Sequence, residues 1–137
     1  MIGLDTNVLV RFIIHDDASQ TADALAVMRR LTPMEPGFVS HVVLAELWWV
    51  LGRSYRVEQK LRCSFVADLL DTAEIRIEDS DTVRKALADA QAGADLADAL
   101  IFQCSASAGC LTTITFDNGA VKKAGMTDIH DYLDSSV

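Results

Sequence analysis

The chain has 137 residues, half of them hydrophobic, which fits one compact domain whose core needs neither disulfides nor a structural metal. That composition excludes disordered, collagen-like and low-complexity classes. Twelve bases against 20 acids give a net charge of −8, which argues against a nucleic-acid partner unless the acids are gathered in one place.

Short apolar strands alternate with longer helices. Ile2 to Leu4 reads as a buried strand and Thr6 to Ile14 as an apolar helix. A second helix, Ala18 to Leu31, carries Ala22, Leu25, Ala26 and Met28 at helical spacing and ends before Pro33 and Pro36-Gly37. Phe38 to Ser40 is the next strand, followed by helices at His41 to Gly52 and Val57 to Leu70. Glu74 to Ile77 alternates like a strand, and Ser80 or Asp81 can cap a helix reaching Gln91. Gly93 separates it from a helix over Asp95 to Ala108, stopped by Gly109. Leu111 to Phe116 has the strongest strand composition. A short helix with Val121 and Ala124 and a last strand near Ile129 complete the chain. The alternation predicts an α/β fold with a mostly parallel central sheet of about four to five short strands, in a single domain over residues 1–137.

Cys63, Cys104 and Cys110 are odd in number and form no CxxC pair, as expected in the reducing cytoplasm. Met1 to Asp5 does not read as a signal peptide. The longest apolar run, Val42 to Leu51, has ten residues and contains Glu46, too short for the roughly 20 that span a bilayer.

In parallel α/β sheets, ligands gather outside the carboxyl ends of the strands. Asp5 and Asp117 end the first strand and the strand at Leu111 to Phe116, so they meet if those strands are neighbours. The helix from Asp95 starts at the same edge, with Asp95 and Asp98 one turn apart. Glu46 is the one charged residue between Val42 and Leu51, and burying it unpaired would be expensive. Each acid also has a structural explanation. Asp5, Asp95 and Asp117 can cap helices, Asp98 suits a first turn, and Glu46 can face solvent. Caps do not require convergence, however, whereas the expected topology produces it. Two carboxylates about 5 Å apart repel by about 3 kcal/mol at an effective dielectric near 20, and a hard divalent cation with oxygen ligands relieves that. His15, His41 and His130 are dispersed, which disfavours zinc. The pattern points to metal-assisted phosphodiester hydrolysis.

Leu4-Asp5-Thr6-Asn7-Val8-Leu9, Val43-Leu44-Ala45-Glu46-Leu47, Ala94-Asp95-Leu96-Ala97-Asp98-Ala99-Leu100-Ile101 and Thr113-Ile114-Thr115-Phe116-Asp117 resemble, in order and spacing, the motifs of PIN-domain nucleases. The chain is most similar to the VapC-type toxins of type II toxin-antitoxin systems. The resemblance implies an α/β/α sandwich, a Mg²⁺- or Mn²⁺-dependent endoribonuclease with one or two ions, and inhibition by a cognate antitoxin. It makes Asp5, Glu46, Asp98 and Asp117 the catalytic, metal-binding acids and Asp95 an additional metal acid. Thr6, Asn7, Ser40 and Thr115 become their polar neighbours. It further implies that Asp5 is the central ligand, with Asp98 and Glu46 on one ion and Asp117 on a second, weaker one, and that the products carry a 5′-phosphate and a 3′-hydroxyl. Asn118 departs from the basic residue that often follows the last aspartate, which affects a local phosphate contact.

Arg11, Arg53, Arg56 and Lys60 are candidate RNA contacts, as are Arg62, Lys122 and Lys123, although a charge run is more often a solvated helix face. Trp48 and Trp49 are adjacent and cannot both face the centre of the core, so one suits an interface with a second copy or an antitoxin helix. The resemblance favours a homodimer, with no membrane partner. Two other classes compete. An Asp-dependent phosphatase usually carries a second Asp where Asn7 stands, and a non-catalytic Mg-binding signalling or RNA-binding module would bind without turnover. GxSxG, GxGxxG and P-loop motifs are missing.

Overall fold

A computed structural model describes residues 1–135. Its contacts divide the chain into two compact units, Met1–Ser80 and Asp81–Val137.

In the first unit, strand β1 (Ile2–Gly3) leads into helix α1 (Thr6–Ile13), and α2 (Ala18–Arg30) follows. Asp17 starts α2 by accepting from the Gln20 N–H at 3.0 Å. Strand β2 (Gly37–Val39), helices α3 (His41–Arg53) and α4 (Gln59–Asp71), and strand β3 (Ile75–Ile77) complete the unit. The sheet order is β1-β2-β3 and both ladders are parallel, pairing Ile2 with Gly37 and Phe38 with Arg76. At Gly37, β2 packs against Leu4, the residue after β1. A Cβ there would stand 2.7 Å from Leu4 Cδ1.

The first core is built from one face of each helix. In α3, Leu44, Leu47, Trp48 and Leu51 recur at i, i+3, i+4 and i+7 and are all buried. Leu9 and Val10 of α1, Val39 of β2, Val66 and Leu69 of α4, and Ile75 and Ile77 of β3 are also buried. Arg62 joins α4 to the end of α3. Its guanidinium lies 4.2 Å from the centre of the Trp48 ring, and it donates to the carbonyls of Val57 at 3.0 Å and Trp48 at 3.2 Å.

The second unit holds α5 (Ser80–Gln91, entered from the first unit's last residue), α6 (Leu96–Ser107), β4 (Ile114–Thr115), α7 (Asn118–Ala124), β5 (Thr127–Asp128) and α8 (Ile129–Ser135). Val83, Ala86, Leu87 and Ala90 of α5, Leu96, Ala99 and Leu100 of α6, and Ala120 and Ala124 of α7 are buried. Gly125 ends α7 at φ +81°, where a Cβ would also stand 3.3 Å from Phe102 Cζ.

The five short strands and their uniformly parallel ladders match the α/β class expected from the alternation. Three details differ. The segment Leu111 to Phe116 keeps only Ile114 and Thr115 in a ladder, because its partner β5 is itself two residues long. The strand expected near Ile129 stops at Asp128, whose Oδ1 accepts from the N–H groups of His130 at 2.8 Å and Asp131 at 3.4 Å and so starts a helix instead. Finally, β1 is paired with β2 and β4 with β5. The ladder between β1 and β4 that the sequence argument required is not formed among the described residues.

Candidate functional site

Asp5 stands between β1 and α1 in extended conformation, φ −79° and ψ 159°, at the N-cap position. Its carboxylate accepts no capping hydrogen bond. The capping explanation therefore fails for Asp5, whose side chain is exposed and without a partner among the described residues. Thr6, directly after it, is 3% exposed, and its Oγ1 is buried with no hydrogen-bond partner among the described residues. A buried, unpaired hydroxyl is costly. Asn7 is exposed on the first turn of α1.

Ser40 precedes α3 and caps it, accepting from the Val43 N–H at 3.2 Å. Glu46 lies in the middle of α3 on the face opposite Leu44, Leu47 and Leu51, exposed and without an ion-pair partner among the described residues. The expectation that burial would force a partner on Glu46 does not hold, because the helix turns it outward.

In the second unit three of the acids lie within electrostatic reach of one another. Asp95 is the N-cap of α6, its Oδ1 accepting from the Asp98 N–H at 3.0 Å. Asp117 is the N-cap of α7, its Oδ1 accepting from the N–H groups of Gly119 at 2.7 Å and Ala120 at 3.2 Å. Thr115 Oγ1 in turn accepts from the Asp117 N–H at 3.0 Å. Capping is thus real for Asp95 and Asp117, but one oxygen of Asp117 supports the whole cap and Oδ2 is left over. Asp98 feels the crowding. Burial, and then the charges of Asp95 and Asp117, raise its carboxyl above the ordinary carboxylate value.

Three carboxylates with no histidine or thiolate suit a hard divalent cation, and the crowding at Asp98 is the kind that such a cation relieves. Among the described residues, no three or more His, Cys, Asp or Glu side chains stand in metal-holding geometry. Thr113 was not singled out from the sequence, yet its Oγ1 is the second buried hydroxyl without a partner among the described residues. Its signal was the Thr113-Ile114-Thr115 alternation, which puts two hydroxyls on one side of an extended chain.

The PIN domain family matches residues 2–126, across both compact units. The chain belongs to the PIN family. PIN domains are generally nucleases that act on nucleic acids with divalent metal ions, and the parallel ladders and flanking helices are those of a PIN-like α/β/α fold. No curated protein matches the chain.

The candidate RNA contacts of this PIN domain divide into engaged and unengaged groups. Arg11 is engaged. It donates to Gln20 Oε1 at 2.6 Å, Asp16 Oδ1 at 2.8 Å and the Tyr55 hydroxyl at 2.9 Å, and Tyr55 donates to Asp16 Oδ2 at 3.1 Å. This network ties α1 to the start of α2 and to the segment after α3. Arg62 is engaged with Trp48, as described above. Arg53, Arg56 and Lys60 are exposed and have no acid partner among the described residues. Lys122 and Lys123 are exposed in the last turn of α7. The histidines do not gather either, since His41 is held by Glu78, His15 by the Phe12 carbonyl, and His130 lies edge-on to Phe116.

Proposed function

We propose that this PIN domain is a Mg²⁺- or Mn²⁺-dependent endoribonuclease, the VapC-type toxin of a toxin-antitoxin pair, acting in the cytoplasm and inhibited by its cognate antitoxin. The observation that carries this reading is the grouping of Asp95, Asp98 and Asp117 at the heads of α6 and α7, where burial first, and then the charges of Asp95 and Asp117, hold the Asp98 carboxyl above its ordinary range. Carboxylates held near one another disfavour each other's charged form, and a bound divalent cation offsets that. The reading takes residues 1–137 as one functional domain in which Asp5, Glu46, Asp98 and Asp117, with Asp95, would hold one or two ions. When bound, a divalent ion supplies Lewis-acid stabilisation of phosphodiester hydrolysis.

The chain's own groups support that chemistry in distinct ways. Asp117 keeps its helix cap on Oδ1, so its orientation is set before any ligand arrives. Asp95 braces the first turn of α6 through the Asp98 N–H, which holds Asp98 at the head of the helix. Thr6, whose buried hydroxyl has no partner among the described residues, is a polar neighbour of Asp5 in this reading. Asn7, Ser40 and Thr115 are the further polar neighbours in this reading. Products with a 5′-phosphate and 3′-hydroxyl are expected, as is a homodimer.

The decisive variant is Asp5→Asn. Because Asp5 makes no cap bond, it should fold and melt like the wild type while metal-dependent cleavage of RNA falls at least about a hundredfold. Undiminished cleavage would remove Asp5 from the site, and cleavage that persists in EDTA would remove the metal.

A further inference from the structure

One stripe of α3 is unusual. Val42, Glu46, Trp49 and Arg53 follow one another at i, i+4, i+7 and i+11, so they share a face, and all four are exposed. Trp48 is 2% exposed and completes the core, whereas Trp49 is 56% exposed. The Arg53 guanidinium lies 5.5 Å from the centre of the Trp49 ring and has no acid partner among the described residues. Beyond it, Arg56 and Lys60 are also exposed and unpaired. Within this stripe an acid, an indole and a guanidinium succeed one another at intervals of about one helical turn, or about 5.4 Å.

We infer that Trp49 and Arg53 form a binding step for single-stranded RNA, with one base stacked on the Trp49 indole and the adjoining backbone phosphate met by Arg53. This rests on the reading of Glu46 as one of the acids at the cleavage site, which places Trp49 one turn from the scissile phosphate. An exposed indole beside an unpaired cation is the combination that sequence-tolerant single-strand binding uses. A protein segment laid along the same stripe would have to desolvate the unpaired Glu46 carboxylate between Val42 and Trp49. A nucleotide docked beyond Glu46 does not bury it.

The test is equilibrium binding of a fluorescently labelled single-stranded oligoadenylate to the full chain in EDTA, where metal-dependent cleavage is off, with cleavage in Mn²⁺ measured separately. Trp49→Ala should weaken binding by about 5- to 100-fold, and Trp49→Phe should restore most of the loss. Arg53→Ala should weaken binding and lower the salt dependence by about one released counterion. No measurable binding by the wild type, or equal binding by wild type and Trp49→Ala, overturns the inference. So does unchanged binding accompanied by conversion of a dimer to a monomer in light scattering, which would assign the stripe to a second copy. Binding that depends on Trp49 without any cleavage supports the stacking step and defeats the nuclease reading. Cleavage with Trp49-independent binding does the reverse.

Discussion

At the scale of single residues, three side chains have separable consequences. Arg11 makes three hydrogen bonds within the first unit, so Arg11→Ala should lower stability by about 1–2 kcal/mol, read as a lower urea midpoint at constant slope. A variant that unfolds like the wild type yet binds RNA less well would return Arg11 to an RNA-contact role. Asp98 offers a test of sign. Its folded carboxyl is raised above the ordinary value by burial, Asp95 and Asp117, so the folded protein holds that proton more tightly than the unfolded chain. Stability is therefore lost as pH rises from the ordinary carboxylate range through the raised value. In EDTA at neutral pH, Asp98→Asn should melt higher than the wild type, and the difference should vanish below about pH 4. With Mn²⁺ present the order should reverse. Asp5 was expected in the proposed site from its place between a strand and a helix, and it makes no side-chain cap bond. The outward turn of Glu46 was not legible, because a run from Val42 to Leu51 that is apolar apart from Glu46 does not say which face meets the core.

At the scale of elements, helix capping and ligand binding can be read on the same residue. Asp117 supports two N–H groups of α7 through one oxygen. Asp117→Ala should cost about 1 kcal/mol of stability from the lost cap and abolish cleavage. Asp117→Asn keeps an acceptor for the cap, so it should melt near the wild type and still fail to cleave. Equal cleavage by the Asn variant would reduce Asp117 to a cap. The helices α1, α2, α3, α5 and α6 lie within a residue or two of the boundaries expected from apolar spacing and Gly/Pro punctuation, since those signals act within one or two turns. Strand β4 fell short of its sequence signal because a ladder is only as long as its partner. Helix α8 was missed because Asp128 closes β5 and caps the next helix at once.

At the scale of the whole molecule, the charge balance takes on a different meaning. Setting aside Asp5, Glu46, Asp95, Asp98 and Asp117 leaves 15 acids against 12 bases, so under the proposed function most of the imbalance belongs to the acids assigned to metal. Mg²⁺ or Mn²⁺ should stabilise the fold by on the order of 2.7 kcal/mol at a hundredfold excess over the dissociation constant, read as a higher melting temperature, and EDTA should reverse it. A melting curve indifferent to both ions would detach the acidity from metal binding. Among the described residues no helix is long and apolar enough to cross a membrane, in keeping with the short apolar run read at the outset. By itself the sequence determined the α/β alternation, most helix boundaries and the motif-bearing acids, because periodicity, caps and breakers are local. Only the tertiary structure decided that Asp95 and Asp117 crowd Asp98, that Arg11 and Arg62 are spent on packing, and that Trp49 rather than Trp48 faces outward. Those outcomes depend on which groups approach one another through space, and neither spacing nor composition along the chain sets that distance.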